Sequence, residues 1–137
     1  MAQRKITWKA EYEVGVTAID EQHKRLFVML DGLTKPDQDV KHTELVIALG
    51  SYINEHFAYE EGLMRKHSYP RMADHLAQHQ ELVAQYRSMT DGMKGGELQA
   101  VARARMVVYG WFTRHILGDR MDKELGTFLQ RIGVFLR

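Results

Sequence analysis

No cysteine occurs in this chain, so neither disulfides nor thiolate ligands can shape its fold or its chemistry. Any metal it holds must rest on nitrogen and oxygen donors. No apolar run approaches the length that spans a bilayer, and the opening MAQRKITWKAEYEVG lacks the apolar stretch of a secretory leader. The expectation is a soluble, cytoplasmic protein with no membrane partner. Charge is equally uncommitted. Nineteen basic and 18 acidic residues give a formal net charge of +1, with both signs scattered, and leave no electrostatic case for nucleic acid. Strand-like alternation, hairpin signals and internal repeats are also missing. What remains is a single domain, 1–137, long enough to bury a core.

What is present is helical periodicity. Residues 1–18 carry Trp8, Tyr12, Val14 and Val16 without a helical period and read as an irregular arm that packs its aromatics on something larger. Asp20 can N-cap a first helix within 19–33, whose stripe of His23, Leu26, Phe27 and Leu30 recurs at helical spacing. A breaker cluster, Thr34-Lys35-Pro36-Asp37, follows. Further helices are expected over 39–67, 70–90 and 97–118, with Pro70 suited to a first helical position and Gly92, Gly95 and Gly96 forming a loose link. A short helical segment over 119–137, continuous with the fourth helix or bent from it, completes an all-α, up-down four-helix bundle.

The densest chemistry lies between Asn54 and Gln80, NEHFAYEEGLMRKHSYPRMADHLAQHQ. His56 with Glu60, and His75 with His79, are each spaced i, i+4, which puts both members of a pair on one helical face. Pro70 falls between the pairs, so two antiparallel helices would bring three imidazoles and a carboxylate into one groove. Bundle cores build metal sites in this way. Of seven histidines, His23, His56, His75, His79 and His115 fall on inward faces of four different helices, while His42 and His67 sit at helix ends and read as solvated. Imidazoles crowded into one small core would lack hydrogen-bond partners unless a metal took their lone pairs. Imidazole and carboxylate without thiolate fit iron, manganese or zinc. Five imidazoles exceed what one such ion needs, and Glu60 could bridge two. Few anionic ligands favour ferrous iron, and with it dioxygen binding over substrate oxidation.

His23 in IDEQHKRL, His56-Phe57 and Glu60 in HFAYEEGLM, His75 and His79 in HSYPRMADHLAQH, and Trp111 with His115-Ile116 in WFTRHIL resemble the hemerythrin pattern. The match runs from Ile6-Thr7-Trp8 to the tail and is closest to the stand-alone bacterial hemerythrins. The resemblance implies a four-helix bundle holding two iron ions per chain in an oxo- or hydroxo-bridged, non-haem centre that binds dioxygen reversibly. It implies His75, His79 and His115 on one iron and His23 and His56 on the other, bridged by Glu60 and an aspartate of the fourth helix. It further implies that dioxygen reaches the His23 and His56 side through a pocket of Leu26, Phe57, Trp111 and Ile116.

One position departs from the family. Its bridging aspartate follows the last histidine by five residues, and here Arg120 stands there, unable to bridge two cations. Asp119 and Asp122 flank it, at i+4 and i+7 from His115. Asp119 is the expected ligand because it needs the smaller axial change along a regular helix. Asp122 is the alternative, since Asp122-Lys123-Glu124-Leu125-Gly126 resembles what normally follows the ligand. A third arrangement leaves neither aspartate bound.

The leading function is therefore dioxygen binding, as carrier, store or sensor, without catalysis. The competing class is a di-iron enzyme acting on peroxide, nitric oxide or dioxygen. The sequence specifies no protein partner, and an oxygen-consuming enzyme is the kind to look for.

Overall fold

The computed structural model describes residues 6–33, 42–91 and 98–133. The breaker cluster after Leu33, the expected helix start at 39, the glycines from 92 to 96 and the tail beyond 133 lie outside them, as does the side chain of His42. The architecture is all-α, an up-down four-helix bundle of α1 (Thr17–Gly32), α2 (His42–Lys66), α3 (Met72–Asp91) and α4 (Leu98–Thr113). Helix α1 packs on α2 and α4, and α3 packs on the same two, so the four enclose one core. A fifth helix, α5 (Met121–Arg131), closes one end. No strand occurs among the described residues.

The core follows the helical stripes. Leu26, Phe27 and Leu30 of α1, Leu49 and Ile53 of α2, Leu82 of α3, Val108 and Phe112 of α4 and Leu125 and Leu129 of α5 are all fully buried. Each contributes roughly 1.5–3 kcal/mol through burial of its side chain. Over residues 6–16 the arm is irregular apart from one 3-10 turn at Ala10–Tyr12. It does pack its aromatics inward: Trp8 and Tyr12 lie edge-on to Phe27 at 5.4 and 5.1 Å between ring centroids.

Asp20 does not cap α1. The helix begins earlier, behind Val16, with no side-chain cap. The Asp20 carboxylate instead turns back to accept the backbone N–H groups of Val14 (2.8 Å) and Gly15 (3.2 Å), which ties the arm to the bundle.

The α2–α3 connection is short because its backbone groups are satisfied locally. Tyr69 N–H reaches Met64 C=O at 2.9 Å and Ser68 N–H reaches Arg65 C=O at 3.4 Å, the paired bonds of a Schellman ending. Ser68 occupies the left-handed position of that motif, at φ 54°. Pro70 lies in the turn, and α3 starts two residues later, at Met72. Because a side chain is strained in that conformation, Ser68→Gly is expected to stabilise the protein by up to about 1 kcal/mol, after allowing for the greater unfolded-state freedom of glycine. Urea unfolding at constant slope would check this; a loss of stability would mean that Ser68 makes a compensating bond.

Candidate metal centre

Each long helix delivers at least one imidazole to the middle of the bundle. His23 comes from α1, His56 from α2, His75 and His79 from α3, and His115 from the turn that ends α4. All five are buried, together with Glu60 of α2 and Asp122 of α5. The i, i+4 spacing of His56 with Glu60 and of His75 with His79 keeps each pair on one helical face.

The two carboxylates divide their oxygens between two sets of imidazoles. Glu60 Oε1 lies 3.2 Å from His75 Nε2 and 3.1 Å from His79 Nε2, while its Oε2 lies 2.9 Å from His56 Nε2 and 3.6 Å from His23 Nε2. Asp122 Oδ1 is 2.9 Å from His75 Nε2 and 3.0 Å from His115 Nε2, and its Oδ2 is 3.0 Å from His23 Nε2. Two overlapping ligand groups result: His75, His79 and His115 with both carboxylates, and His23 and His56 with both carboxylates. Within each group the ligand atoms lie within 4.8 Å of one another.

The donor set fits a cation on geometric grounds. Nε2 of His23, His56 and His79, Oε2 of Glu60 and Oδ2 of Asp122 are buried and make no hydrogen bond, although several approach each other to about 3 Å. Orphaned buried polar atoms are costly. Lone pairs that crowd together without aiming at one another are those that a shared cation satisfies. Charge agrees. Burial alone would raise both carboxyls, but the imidazoles, His56 foremost for Glu60 and His115 foremost for Asp122, hold them well below the usual carboxylate range. Burial also opposes charge on His23 and His75, yet the close carboxylates of Asp122 and then Glu60 raise them to about 9 and about 10. On His115 burial prevails, and it is lowered. A cation entering the cluster takes the place of those protons.

The outer faces of three rings are fixed as well. His56 Nδ1–H donates to Gln22 Oε1 (2.7 Å), His115 Nδ1–H to Gln78 Oε1 (2.8 Å) and His79 Nδ1–H to Glu61 Oε2 (3.0 Å). An amide or carboxylate oxygen can only accept, so each Nδ1 carries the proton and each Nε2 faces inward. Sequence reasoning missed these three partners. Only their placement beside or between the histidine pairs, Gln22 before His23 and Gln78 before His79, marks them.

The structure departs from the expected carboxylate. Asp119 stays outside the cluster: its side chain is 45% exposed and accepts a bond from Gln78 Nε2 at 3.0 Å. Asp122 enters instead. The physical reason is the backbone after Thr113, which runs through a wide π-turn over Arg114–Gly118, closed by Asp119 N–H to Arg114 C=O at 2.7 Å. Thr113 Oγ1 bonds back to the carbonyls of Tyr109 and Gly110 just before it, a pattern that loosens helices. Arg120 then takes the left-handed conformation (φ 56°), and α5 starts in a new direction with Asp122 in its first turn.

The aromatic surroundings of the two imidazole sets adjoin one another, with Phe57, Trp111 and Phe112 in mutual contact. Leu26, Phe57, Trp111 and Ile116 are all buried. Phe57 stacks flat on His79 at 3.8 Å, and Trp111 on His115 at 4.3 Å. Both cover the three-imidazole side, and Phe57 also lies 6.0 Å from His56. Among the described aromatic side chains, Phe112 alone packs against both His23 (6.0 Å) and His56 (6.1 Å). Nothing in the sequence marks it as a neighbour of those two rings.

Fold and site together define a cation-binding helical bundle with a buried His, Glu and Asp cluster. The Hemerythrin HHE cation binding domain matches residues 14–125, and the chain belongs to the hemerythrin family. It is similar to stand-alone bacterial members. It is 30% identical over 128 residues to the bacteriohemerythrin of Methylococcus capsulatus (strain Bath), covering 90% of this chain and 96% of that protein. It is 27% identical over 117 residues to the bacteriohemerythrin of Stenotrophomonas maltophilia, covering 83% and 76%. Among the described residues no helix is long and apolar enough to cross a membrane.

Proposed function

We propose that the chain binds dioxygen reversibly at a non-haem centre of two iron ions, without turning it over. The observation that supports this reading is the division of Glu60 and Asp122 oxygens between the two imidazole sets. His75, His79 and His115 would hold one ion, His23 and His56 the other, with both carboxylates shared. Such a centre would supply two one-electron donors, and the chain would offer one imidazole fewer on the His23 and His56 side. The chain's own contribution is the enclosure. Gln22, Gln78 and Glu61 fix three rings, and apolar side chains keep water and protons away.

Metal content, together with the visible spectrum before and after reduction and reoxygenation, tests the reading. Two irons per chain and a charge-transfer band that returns on each cycle are expected. Continuous consumption of peroxide or nitric oxide would instead favour the enzyme reading, and protein that takes up no iron from iron-replete medium would dispose of both.

Phe112 gives a sharper test of the enclosure. Its ring lies against both imidazoles of the two-imidazole side, so Phe112→Leu, which opens space there, is expected to speed autoxidation by about tenfold, the equivalent of roughly 1.4 kcal/mol in barrier. Val83→Ala, a partly buried change on α3, serves as a packing control. Equal autoxidation in both variants would mean that Phe112 acts only as core.

A further inference from the structure

A chain of bonds runs from the surface to His115, and it is built from the turn that follows α4. His115 Nδ1–H donates to Gln78 Oε1 at 2.8 Å, and Gln78 Nε2 donates to Asp119 Oδ2 at 3.0 Å. Beside it, Arg114 bonds Glu81 at 2.6 Å, so the π-turn is fastened to α3 at two points. We propose that Gln78 is a positioning residue for His115 and that Asp119 fixes which end of the Gln78 amide faces the ring.

The argument rests on the inventory of donors and acceptors. An amide presents an oxygen at one end and an NH2 group at the other, and the two are similar in size. With its oxygen toward His115, both bonds form. Reversed, NH2 meets the ring N–H and the amide oxygen meets the Asp119 carboxylate, so two donors face each other and two acceptors do the same. The carboxylate therefore selects the orientation that holds His115 with its Nε2 inward. Geometry explains why Asp119 is available for this task. The π-turn and left-handed Arg120 let Asp122 enter the core and leave Asp119 on the surface over α3. An acceptor on Nδ1–H makes an imidazole a stronger donor and favours the higher oxidation state of whatever metal it holds.

This inference rests on the metal-centre reading, and the test separates the two. Purified, iron-loaded protein is compared as parent, Gln78→Leu, Asp119→Ala, Asp119→Asn and the double variant Gln78→Leu/Asp119→Ala. Metal content, the charge-transfer band and the midpoint potential are read. Asp119→Ala is expected to keep its metal and to raise the potential in the same direction as Gln78→Leu. Asp119→Asn, which still offers an amide oxygen to Gln78, should sit close to the parent, and the double variant should match Gln78→Leu alone. Hydrogen exchange at the His115 ring N–H, followed by nitrogen-15 NMR in chelator-treated protein, should quicken in Asp119→Ala and not in Asp119→Asn. That last readout stands without metal, so a parent that carries no iron would sink the di-iron reading while still judging this one. A potential and ring N–H exchange unchanged in Asp119→Ala, or effects of the two single changes that simply add, would overturn the role given to Asp119.

Discussion

Asp122→Ala is expected to cost the protein at least half of its bound iron and its charge-transfer band, while Asp119→Ala keeps the full complement. Asp122 faces three imidazoles: Oδ1 stands 2.9 Å from His75 and 3.0 Å from His115, and Oδ2 stands 3.0 Å from His23. Removing it takes an anion from both ligand groups at once and leaves buried nitrogens with no counter-charge. Loss of an outer-shell partner alone typically costs ten- to a hundredfold in metal affinity, so loss of a shared carboxylate should exceed about a hundredfold. Asp119 is half exposed, touches no imidazole directly and contributes through Gln78. Metal analysis by mass spectrometry, with circular dichroism to confirm the helices, checks the pair. If Asp119→Ala emptied the site and Asp122→Ala did not, the placement of α5 over the cluster would be wrong.

The contrast between these two aspartates shows where sequence reasoning holds and where it stops. His56 with Glu60 and His75 with His79 could be placed because each pair lies within one regular helix, where about 100° per residue converts spacing into direction. Their convergence with His23 and His115 needed only that the stripes face a common core. The same conversion fails after His115. A π-turn changes the angle per residue, and a left-handed arginine redirects the chain, so four residues no longer return to the same face. The cue was weak, a threonine at 113 whose hydroxyl bonds back along α4. Asp20 misled for a related reason: a capping residue type before a helical stripe is also well suited to hold a preceding loop, and here it holds Val14 and Gly15. Gln22, Gln78 and Glu61 were out of reach because side-chain partners across two helices leave no period in the sequence. Phe112 is an apolar residue within the expected fourth helix, yet only packing could say which rings it meets.

Gly126→Ala should destabilise the protein by about 2 kcal/mol, against the usual direction of a glycine-to-alanine change inside a helix, which gains up to about 1 kcal/mol. A Cβ built on Gly126 would stand 2.1 Å from the carbonyl oxygen of Val14 and 3.0 Å from its carbonyl carbon and Cβ. The obstacle is mainly backbone, and it is backbone that cannot easily retreat. Val14 N–H is held by Asp20 at 2.8 Å, and Gln130 Nε2 donates to Gly15 C=O at 2.8 Å, so the arm is pinned from α1 and from α5. Overpacking of this kind costs about 1–3 kcal/mol, occasionally more. The strain is relieved most directly by lifting α5, and α5 carries Asp122 four residues earlier, so a fall in bound iron should accompany the loss of stability. Gly62→Ala in α2 and Gly110→Ala in α4 are the matched controls, since a Cβ at either meets no heavy atom within 4 Å and should stabilise. Urea unfolding of the three variants in metal-free and iron-loaded form separates the steric effect from its consequence at the centre. If Gly126→Ala proved as stable as the controls, the arm would not be seated on α5, and the packing that holds Asp122 over the imidazoles would need another explanation.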